Sequence, residues 1–342
     1  MVDVVVTGGT GHLGANLVRQ LCADGKSVRL VVFNDNNESI DGLDVERVRG
    51  DVTDRQSLDA AFKGADVVIH MAAVISIVGG KHGLVRKVNV EGAGNAADAC
   101  LAQGVRRMMH VASVHAFQMA PIDVPLDETR ARVPSTEGRF NAYDRSKADG
   151  EREVRKRIEQ GLDAVILHPT GVMGPFDYMP SRMGQVFLDL VEQKVPSLVE
   201  GGFNWVDVRD VCTSIRAAVE QGRTAQSYLL GGHHHSVKAL ADIAEGITGV
   251  KAPSWVCPMW LAQLGAPSME LFSRLFQSEP LYTREALEAL RGNLDMRSDL
   301  AAKELGHTPR STEETVRDCY RWFAQQGRLP DGIVVEGDVS AS

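Results

Sequence analysis

Cysteine is scarce and scattered in this chain of 342 residues: Cys22, Cys100, Cys212, Cys257 and Cys319 are odd in number and include no C-x-x-C pair. That excludes a disulfide framework and a thiolate zinc centre, and it suits the reduced thiols of a cytoplasmic protein. Basic charge is in deficit, with 37 Lys and Arg against 45 Asp and Glu and a formal net charge of −8. A nucleic-acid partner needs a basic face, so none is expected. No apolar run approaches the length of a membrane span. The richest stretch, Trp255 to Phe276, is broken by Pro258, Gln263, Pro267, Glu270 and Arg274. The N-terminus lacks a basic segment and enters a strand directly, so no secretory signal is expected. Repeats and low-complexity blocks are missing too. His233-His234-His235 has no carboxylate or histidine at metal-ligand spacing, reads as a solvated loop, and leaves no metal site to expect. What is left is ordinary for a soluble globular protein, 44% hydrophobic and 24% charged, and long enough for one large or two medium domains.

What is present starts in the first fourteen residues. Val4 to Val6 reads as a buried strand, a glycine cluster follows, and Leu13, Leu17, Val18 and Leu21 then recur at helical spacing. Gly9-x-Gly11-x-x-Gly14 fits the general dinucleotide fingerprint, and Gly8-x-x-Gly11-x-x-Gly14 fits a variant. Glycine is required where the backbone turns tightly and approaches a pyrophosphate. The helix that follows offers free N–H groups and its positive dipole end. Taken alone, the motif also fits a glycine-rich turn with no ligand.

Strands and helices alternate from there. Strands are predicted at Ser27–Phe33, Val45–Val48, Ala65–His70, Arg107–Ala112 and Ala164–His168, with helices at about Leu84–Gln103 and Tyr143–Glu159. Such alternation specifies an α/β fold, a doubly wound parallel sheet of Rossmann type, with ligands gathering at the carboxyl ends of its strands. Residues 1–168 are expected to form the dinucleotide-binding domain, joined by a later segment near 203–221. Residues 169–328 read as a smaller, mainly helical substrate cap, and 329–342 as a frayed tail.

Tyr143-Asp-Arg-Ser-Lys147 opens the second of those helices and places its two functional groups on one face. A phenol with an ordinary pKa of about 10 exchanges protons poorly at neutral pH. A neighbouring ammonium, or a positive nicotinamide ring when bound, would favour the phenolate and lower that value. Tyr143 is therefore a candidate general acid and base at a carbinol oxygen. Ser113 ends the fifth predicted strand, where its hydroxyl can meet both a substrate carbonyl and the tyrosine. Asn89 sits inside a helix that asparagine does little to favour. It reads either as a solvated position or as a side chain holding a water or backbone group in register with the lysine.

These segments occur in the order of a known family. Thr7-Gly-Gly-Thr-Gly-His-Leu-Gly14, Gly50-Asp-Val-Thr-Asp54, His70-Met-Ala-Ala73, Asn89-Val-Glu-Gly92, Ser113, Tyr143-x-x-x-Lys147 and His168-Pro-Thr-Gly-Val-Met-Gly-Pro175 together resemble an extended short-chain dehydrogenase/reductase of the epimerase/dehydratase superfamily. Phe203-Asn-Trp-Val-Asp-Val-Arg-Asp-Val211 is similar to its later strand–helix motif, so coverage runs from Val2 to about residue 325. The resemblance implies a catalytic set of Ser113, Tyr143 and Lys147 supported by Asn89, with Lys147 also holding the nicotinamide ribose. It implies that Gly8, Gly9, Thr10, Gly11, His12, Leu13 and Gly14 line the pyrophosphate and that Phe33, Asn34, Asp51 and Val52 lie at the adenosine. Met71, Ala72 and Ala73 would pass under the ribose and phosphates, and His168, Pro169, Thr170, Gly171 and Val172 would flank the nicotinamide end. Relatives are often dimers built on two helices per subunit, which makes a homodimer through Leu84–Gln103 and Tyr143–Glu159 an expectation.

Departures from the pattern bear on the finer questions. Many relatives end strand two with an acidic residue for the adenosine ribose; here the position is apolar and Asp35 is offset. No Lys or Arg lies between Arg29 and Arg47, which favours NAD over NADP as cofactor. A phenylalanine, Phe117, and a histidine, His168, stand where sugar-nucleotide enzymes carry Tyr-Gly and arginine. A diphosphate clamp needs cations in the cap, and between Gly174 and Trp205 the only ones are Arg182 and Lys194, neither in a sugar-nucleotide motif. Ile75, Ser113, His115, Phe117, Tyr178, Met183 and Phe203 are the candidate substrate contacts. Trp255, Met259, Trp260, Leu264, Met269, Phe272 and Phe276 read either as helix packing or as a lid over an apolar ketone. The chain looks most like the dihydroflavonol-reductase and 3β-hydroxysteroid-dehydrogenase branch. The expectation is an NAD(P)-dependent oxidoreductase acting on the carbonyl/carbinol pair of an apolar small molecule. The alternatives are a nucleotide-sugar epimerase/dehydratase with tightly bound NAD and a dinucleotide-binding protein without turnover.

Overall fold

Seven parallel strands form the main sheet, in the order Ser227–Leu230, Ala164–Pro169, Arg107–Val111, Ala65–His70, Val2–Thr7, Val28–Val32 and Glu46–Arg49. The structure is a computed structural model and describes residues 2–34, 38–76, 79–136, 140–265, 283–335, 337 and 339. Asp35, Pro267, Met269, Glu270, Phe272, Arg274 and Phe276 lie outside the described residues.

β1 (Val2–Thr7) is central, and its Val4, Val5 and Val6 are buried on both faces, as expected of a parallel strand covered by helices. α1 (His12–Ala23), β2 (Val28–Val32), β3 (Glu46–Arg49), α2 (Arg55–Phe62) and β4 (Ala65–His70) follow. Pairing is in register from Val4 with Val28 on one side and from Val4 with Val67 on the other. The chain thus leaves β1 towards one edge and returns to its other side with β4. That reversal opens a crevice at the carboxyl ends of β1 and β4, the position at which doubly wound sheets bind ligands.

α3 (Gly92–Gln103), β5 (Arg107–Val111), α4 (Ala142–Ile158) and β6 (Ala164–Pro169) complete the first half. Leu58, Phe62, Ala93, Ala97 and Val154 of α2, α3 and α4 pack on one face of the sheet. Leu17, Val18 and Leu21 of α1 pack on the other. They are joined there by Val211, Ile215 and Ala218 of α6 (Val208–Gln221), and by Ala301 and Leu305 of α9 (Asp299–Leu305). Burying each such large aliphatic side chain contributes ~1.5–3 kcal/mol.

The second half is built from β7 (Gly171–Met173), α5 (Arg182–Val191), β8 (Leu198–Val199), β9 (Gly202–Asp207), α6 and β10 (Ser227–Leu230). β11 (His233–Ser236), α7 (Val237–Thr248), β12 (Val256–Cys257), α8 (Arg284–Ala289), α9 and α10 (Thr312–Gln325) follow. β10 rejoins the main sheet beside β6, and β11, β9 and β7 make a small sheet of their own. A separate apolar core, with Phe187, Leu190, Leu240, Val316, Tyr320 and Phe323, holds α5, α7 and α10 together.

Two sequence expectations change. The triple histidine is strand β11, paired antiparallel with β9 from His233 opposite Trp205 to Ser236 opposite Gly202, so it is ladder and not loop. The single helix expected over Leu84–Gln103 is interrupted by a π-helical turn at Lys87–Glu91. Widening that turn lets Asn89 turn its side chain to a neighbouring loop. α4 approaches so closely that a Cβ on Gly150 would lie 2.3 Å from the Asn89 carbonyl oxygen.

Candidate active site

The glycine loop divides its labour. Gly8 has φ +75°, and a Cβ there would lie 2.7 Å from the Ala72 nitrogen, while one on Gly14 would lie 2.2 Å from the Gly8 oxygen. These two are required by the protein's own packing. A Cβ on Gly11 would meet nothing closer than the Gly8 oxygen at 3.6 Å. Gly11 is the N-cap of α1 and supplies no side-chain cap, so the first N–H groups of that helix keep their positive end for a ligand. Its open space suits a backbone that must approach a phosphate.

His12 does not point at that space. Its Nε2 lies 3.1 Å from the Gly174 carbonyl oxygen and 3.0 Å from that of Pro175. Two acceptors fix the proton on Nε2, and the imidazole ties the glycine loop to the segment after β7. Leu13 packs into the sheet core, and the Thr10 carbonyl accepts from Ser39. On the β4 side, Met71 N donates to the Thr7 carbonyl and Ala72 N to the Thr7 hydroxyl at 3.3 Å. That hydroxyl lies 2.8 Å from His70 Nδ1, and backbone from Met71 to Ala73 is held along the crevice.

Where the resemblance would put the adenosine, Phe33, Asn34, Arg49, Gly50, Asp51, Asp54 and Ser57 line a cavity of about 490 Å³. Phe33 is exposed. Asp51 accepts from Thr53 N, and Val52 packs beneath Gly92 and accepts from Asn95. Arg49 is the residue that sequence reading missed here. It lies beyond the stretch searched for a cation, and only strand pairing puts it opposite Val32.

The catalytic candidates converge. Ser113 caps the short turn Val114–Ala116 after β5, with its hydroxyl accepting from His115 N at 3.2 Å. Tyr143 stands in the first turn of α4, whose N-cap Asn141 accepts from Asp144 N at 2.8 Å. Burial pushes the Tyr143 phenol well up, a hydrogen bond from the Ser113 hydroxyl pulls it down, and the Asp144 carboxylate adds to the rise. The direction is opposite to that expected from Lys147, because removing the phenolate from water outweighs the hydrogen bond. Lys147 is 8% exposed, and burial lowers its pKa from 10.5 to about 8. Among the described residues its ammonium has one weak bond, to the Val111 carbonyl oxygen at 3.4 Å. An ammonium with three N–H donors and one distant acceptor has capacity left for a ligand hydroxyl.

Asn89 accepts from Val74 N at 2.7 Å, donates to Val74 O at 3.0 Å, and donates to the Ser146 hydroxyl at 2.9 Å. It therefore links the loop after β4 to the residue beside Lys147.

Behind Ser113 lies a buried polar network that the sequence did not announce. Ser227 Oγ accepts from Arg132 Nη2 at 2.9 Å and from Arg155 Nη2 at 2.8 Å, so its own proton goes to His168 Nε2 at 3.2 Å. His168 must then carry its proton on Nδ1 and donate it to the Ser113 carbonyl oxygen at 3.1 Å. Burial holds His168 down at about 4, so it is neutral at physiological pH. Burial pushes the Glu151 carboxyl up, but His168, Arg132 and Arg155 pull it down more strongly, to about 2. The His168 side chain is thus fully enclosed and supports Ser113 from behind instead of facing a cofactor.

Other candidates are likewise spent on the fold. Phe117 is 1% exposed beneath the Arg132 guanidinium, 3.9 Å from its ring centre, and is no cleft residue. The Tyr178 hydroxyl accepts from Arg19 at 2.6 Å while its ring packs on Trp322, and Met183 lies against the cap core. Pro169 is buried, Thr170 donates to Asn204, Gly171 lies under the Trp205 ring, and Val172 packs on the sheet core. His115 and Phe203 do meet beside Tyr143. Their rings stack at 5.9 Å, and His115 presents itself edge to face to Tyr143 at 5.5 Å. Ile75, the residue after the Val74 that Asn89 ties, is exposed. No group of three metal-ligating side chains exists among the described residues, and no described helix is long and apolar enough to cross a membrane.

A crevice with a bare helix N-terminus, a cavity beside Phe33 and Asn34, and Ser113, Tyr143 and Lys147 gathered at its edge fit a dinucleotide-dependent enzyme. Residues 4–231 match the family model of the NAD dependent epimerase/dehydratase family, and the chain belongs to that family. It is 32% identical to sterol demethylase protein B of Methylococcus capsulatus over 96% of this chain and 100% of that one. To the 4-hydroxy-2-methyl-3-oxo-4-farnesyl-3,4-dihydroquinoline-1-oxide ketoreductase of Stigmatella aurantiaca it is 26% identical, over 95% of this chain and 98% of the relative. Among solved structures, gox2253 superimposes with a TM-score of 0.83 at 34% identity, covering 96% of this chain and 100% of the other.

Proposed function

We propose that the protein is an NAD(P)-dependent oxidoreductase acting on the carbonyl/carbinol pair of an apolar small molecule, with Tyr143 as general acid and base. The observation that carries this is Tyr143 beside the Ser113 hydroxyl, one helical turn from an under-bonded, buried Lys147. A bound nicotinamide supplies or accepts the hydride. Tyr143 gives its phenolic proton to the carbinol oxygen, and Ser113 donates to the same oxygen and orients it. Lys147 would hold ribose hydroxyls and contribute positive charge as the phenol loses its proton. A phenol raised by burial and by Asp144 rests protonated, which suits the reductive direction.

The apolar character of the substrate is supported by Phe203, stacked on His115 beside Tyr143, and by exposed Ile75 on the loop that Asn89 holds. Lys194, a candidate diphosphate clamp, is exposed and paired with Glu192 at 2.6 Å. The ketoreductase name of the Stigmatella relative, and the sterol in that of the Methylococcus relative, are of the same class. NAD and NADP both remain in this reading. Arg49, in the cavity with Phe33 and Asn34, is the cation that would meet a 2′-phosphate, so the argument for NAD from the Arg29–Arg47 stretch loses its force.

The test is oxidation of NADH and of NADPH by the purified protein against apolar ketones and, separately, UDP- and GDP-sugars. Tyr143→Phe is expected to lower turnover at least ~100-fold while dinucleotide binding by calorimetry stays within a few-fold. Retained turnover would sink the assignment of Tyr143. Turnover of nucleotide sugars alone, with NAD held through purification, would replace the reductase reading with the epimerase one.

A further inference from the structure

We propose that His110 holds an enclosed water beside Lys147, and that this water, rather than Asn89, gives the buried ammonium a second acceptor. The proposal deepens the reading of Lys147 above and rests on it.

Three histidines occupy three adjacent strands near their carboxyl ends, His70 on β4, His110 on β5 and His168 on β6. Val68 and Met108 pack beneath α2, α3 and α4, whereas Ile69 and Met109 pack against α1 and α6. His70 and His110 lie two residues beyond the first pair, so alternation puts them on its side of the sheet, under the helices that include α4 and its Lys147. They are direct partners across the β4–β5 ladder, and their rings stack at 5.7 Å with 15° between the planes. The outer two histidines are bonded. His70 Nδ1 lies 2.8 Å from the Thr7 hydroxyl, and His168 bonds Ser113 and Ser227. His110, between them, is 4% exposed, and neither Nδ1 nor Nε2 has a partner among the described residues.

That shortage holds in every protonation state. A neutral imidazole carries one N–H donor and one lone pair, and a protonated one carries two donors, so two polar positions need partners in either form. Leaving a buried donor or acceptor unpaired is costly. Burial, and then His70, Lys147, His168 and Arg155, the titratable and charged groups that face it, hold His110 well below the ordinary 6.5.

Lys147 presents the complementary shortage. Its ammonium lies 3.4 Å from the carbonyl oxygen of Val111, the residue after His110, and has no other acceptor among the described residues. Asn89 is spent elsewhere: its N–H groups go to Val74 O and the Ser146 hydroxyl, and its oxygen accepts from Val74 N. One water that accepts from Lys147 and donates to the His110 lone pair answers both shortages, and buried polar sites of this kind hold ordered water. His110 is then a positioning residue that acts on Lys147 through that water.

A high-resolution crystal structure of the cofactor-free protein tests the site without any assay of turnover. The expected result is an ordered water within hydrogen-bond distance of both a His110 ring nitrogen and Lys147 Nζ. Two dry ring nitrogens overturn the proposal, and so does a water at His110 beyond the reach of Lys147. His110→Phe keeps a ring in the stack with His70 and should expel the water. The charged form of Lys147 then loses an acceptor, so its pKa falls. In kcat/KM for the dinucleotide, which reports the free enzyme, the basic limb of the pH profile should move down by about one unit, a tenfold loss of proton affinity. His110→Gln, which offers both a donor and an acceptor, should move it less. A limb that stays in place in His110→Phe overturns the proposal, because a merely structural defect lowers rates without moving it. Tyr143→Phe separates the two levels of failure. Turnover retained in that variant removes the reductase reading, while the water beside Lys147 is decided by the crystal structure alone.

Discussion

Lys147 is held in an environment that works against its charge. Burial brings its pKa to about 8, against 10.5 in the unfolded chain, and its one protein acceptor is 3.4 Å away. Between those two values the unfolded chain binds a proton that the folded protein has released, so the stability of the cofactor-free protein should rise with pH from about 8 to 10.5. Below that window the full cost of the buried ammonium remains. Lys147→Met is therefore expected to stabilise the cofactor-free protein at neutral pH by up to ~3 kcal/mol in urea unfolding, while removing turnover. A destabilised Lys147→Met would mean that the ammonium is better solvated than its burial implies.

At the scale of the element, the strand–turn–helix unit of β1 and α1 separates glycines required by the fold from one left free for a ligand. Gly14→Ala puts a methyl 2.2 Å from the Gly8 carbonyl oxygen and should lower the melting temperature markedly or prevent folding. Gly11→Ala finds only one atom within 4 Å, at 3.6 Å, and should fold with near-normal stability but weaken dinucleotide binding at least ~tenfold by calorimetry. Equal effects at the two positions would remove the distinction. Regular periodicity made the Leu84–Gln103 segment read as one helix. The π turn at Lys87–Glu91 escaped because its cause is tertiary: Asn89 bonds to the Val74 backbone and Gly150 crowds its carbonyl. Such turns recur at functional sites, and here the widening aims one side chain at the loop beneath the crevice.

Across the whole molecule, buried titratable groups set the acid limit. His70 is lowered by burial to about 3 and His168 to about 4, from an ordinary 6.5, so each must stay neutral for the protein to remain folded. The unfolded chain takes up those protons first, and stability should fall as pH drops from 6.5 towards 4. Glu151, held at about 2, adds a further loss below its unfolded value of 4.5 as its contacts with Arg132 and Arg155 fail. Urea midpoints across this range should therefore decline well above the carboxylate region, and His168→Asn should flatten the upper part of the decline. A midpoint constant from pH 6.5 to 5 would contradict the neutral, buried imidazoles. The two halves are also tied by charge. Arg216 of α6 pairs with Asp24 at the end of α1. Arg19 of α1 stacks on Phe176 at 4.7 Å while bonding Tyr178.

The sequence by itself determined the parallel sheet, the glycine loop and the Ser113, Tyr143 and Lys147 set, because strand and helix periodicity and motif spacing are local properties of the chain. It could not tell which polar and aromatic residues face the cleft. His168 and Phe117 sit in motif positions, yet only packing shows the first bonded to Ser113 and Ser227 and the second beneath Arg132. Tertiary structure also paired residues far apart in sequence: Arg49 with the end of β2, Ser227 with Arg132 and Arg155, and His115 with Asp144. The direction of the Tyr143 shift was decided in the same way, since spacing shows a nearby lysine but burial depends on everything folded around the phenol.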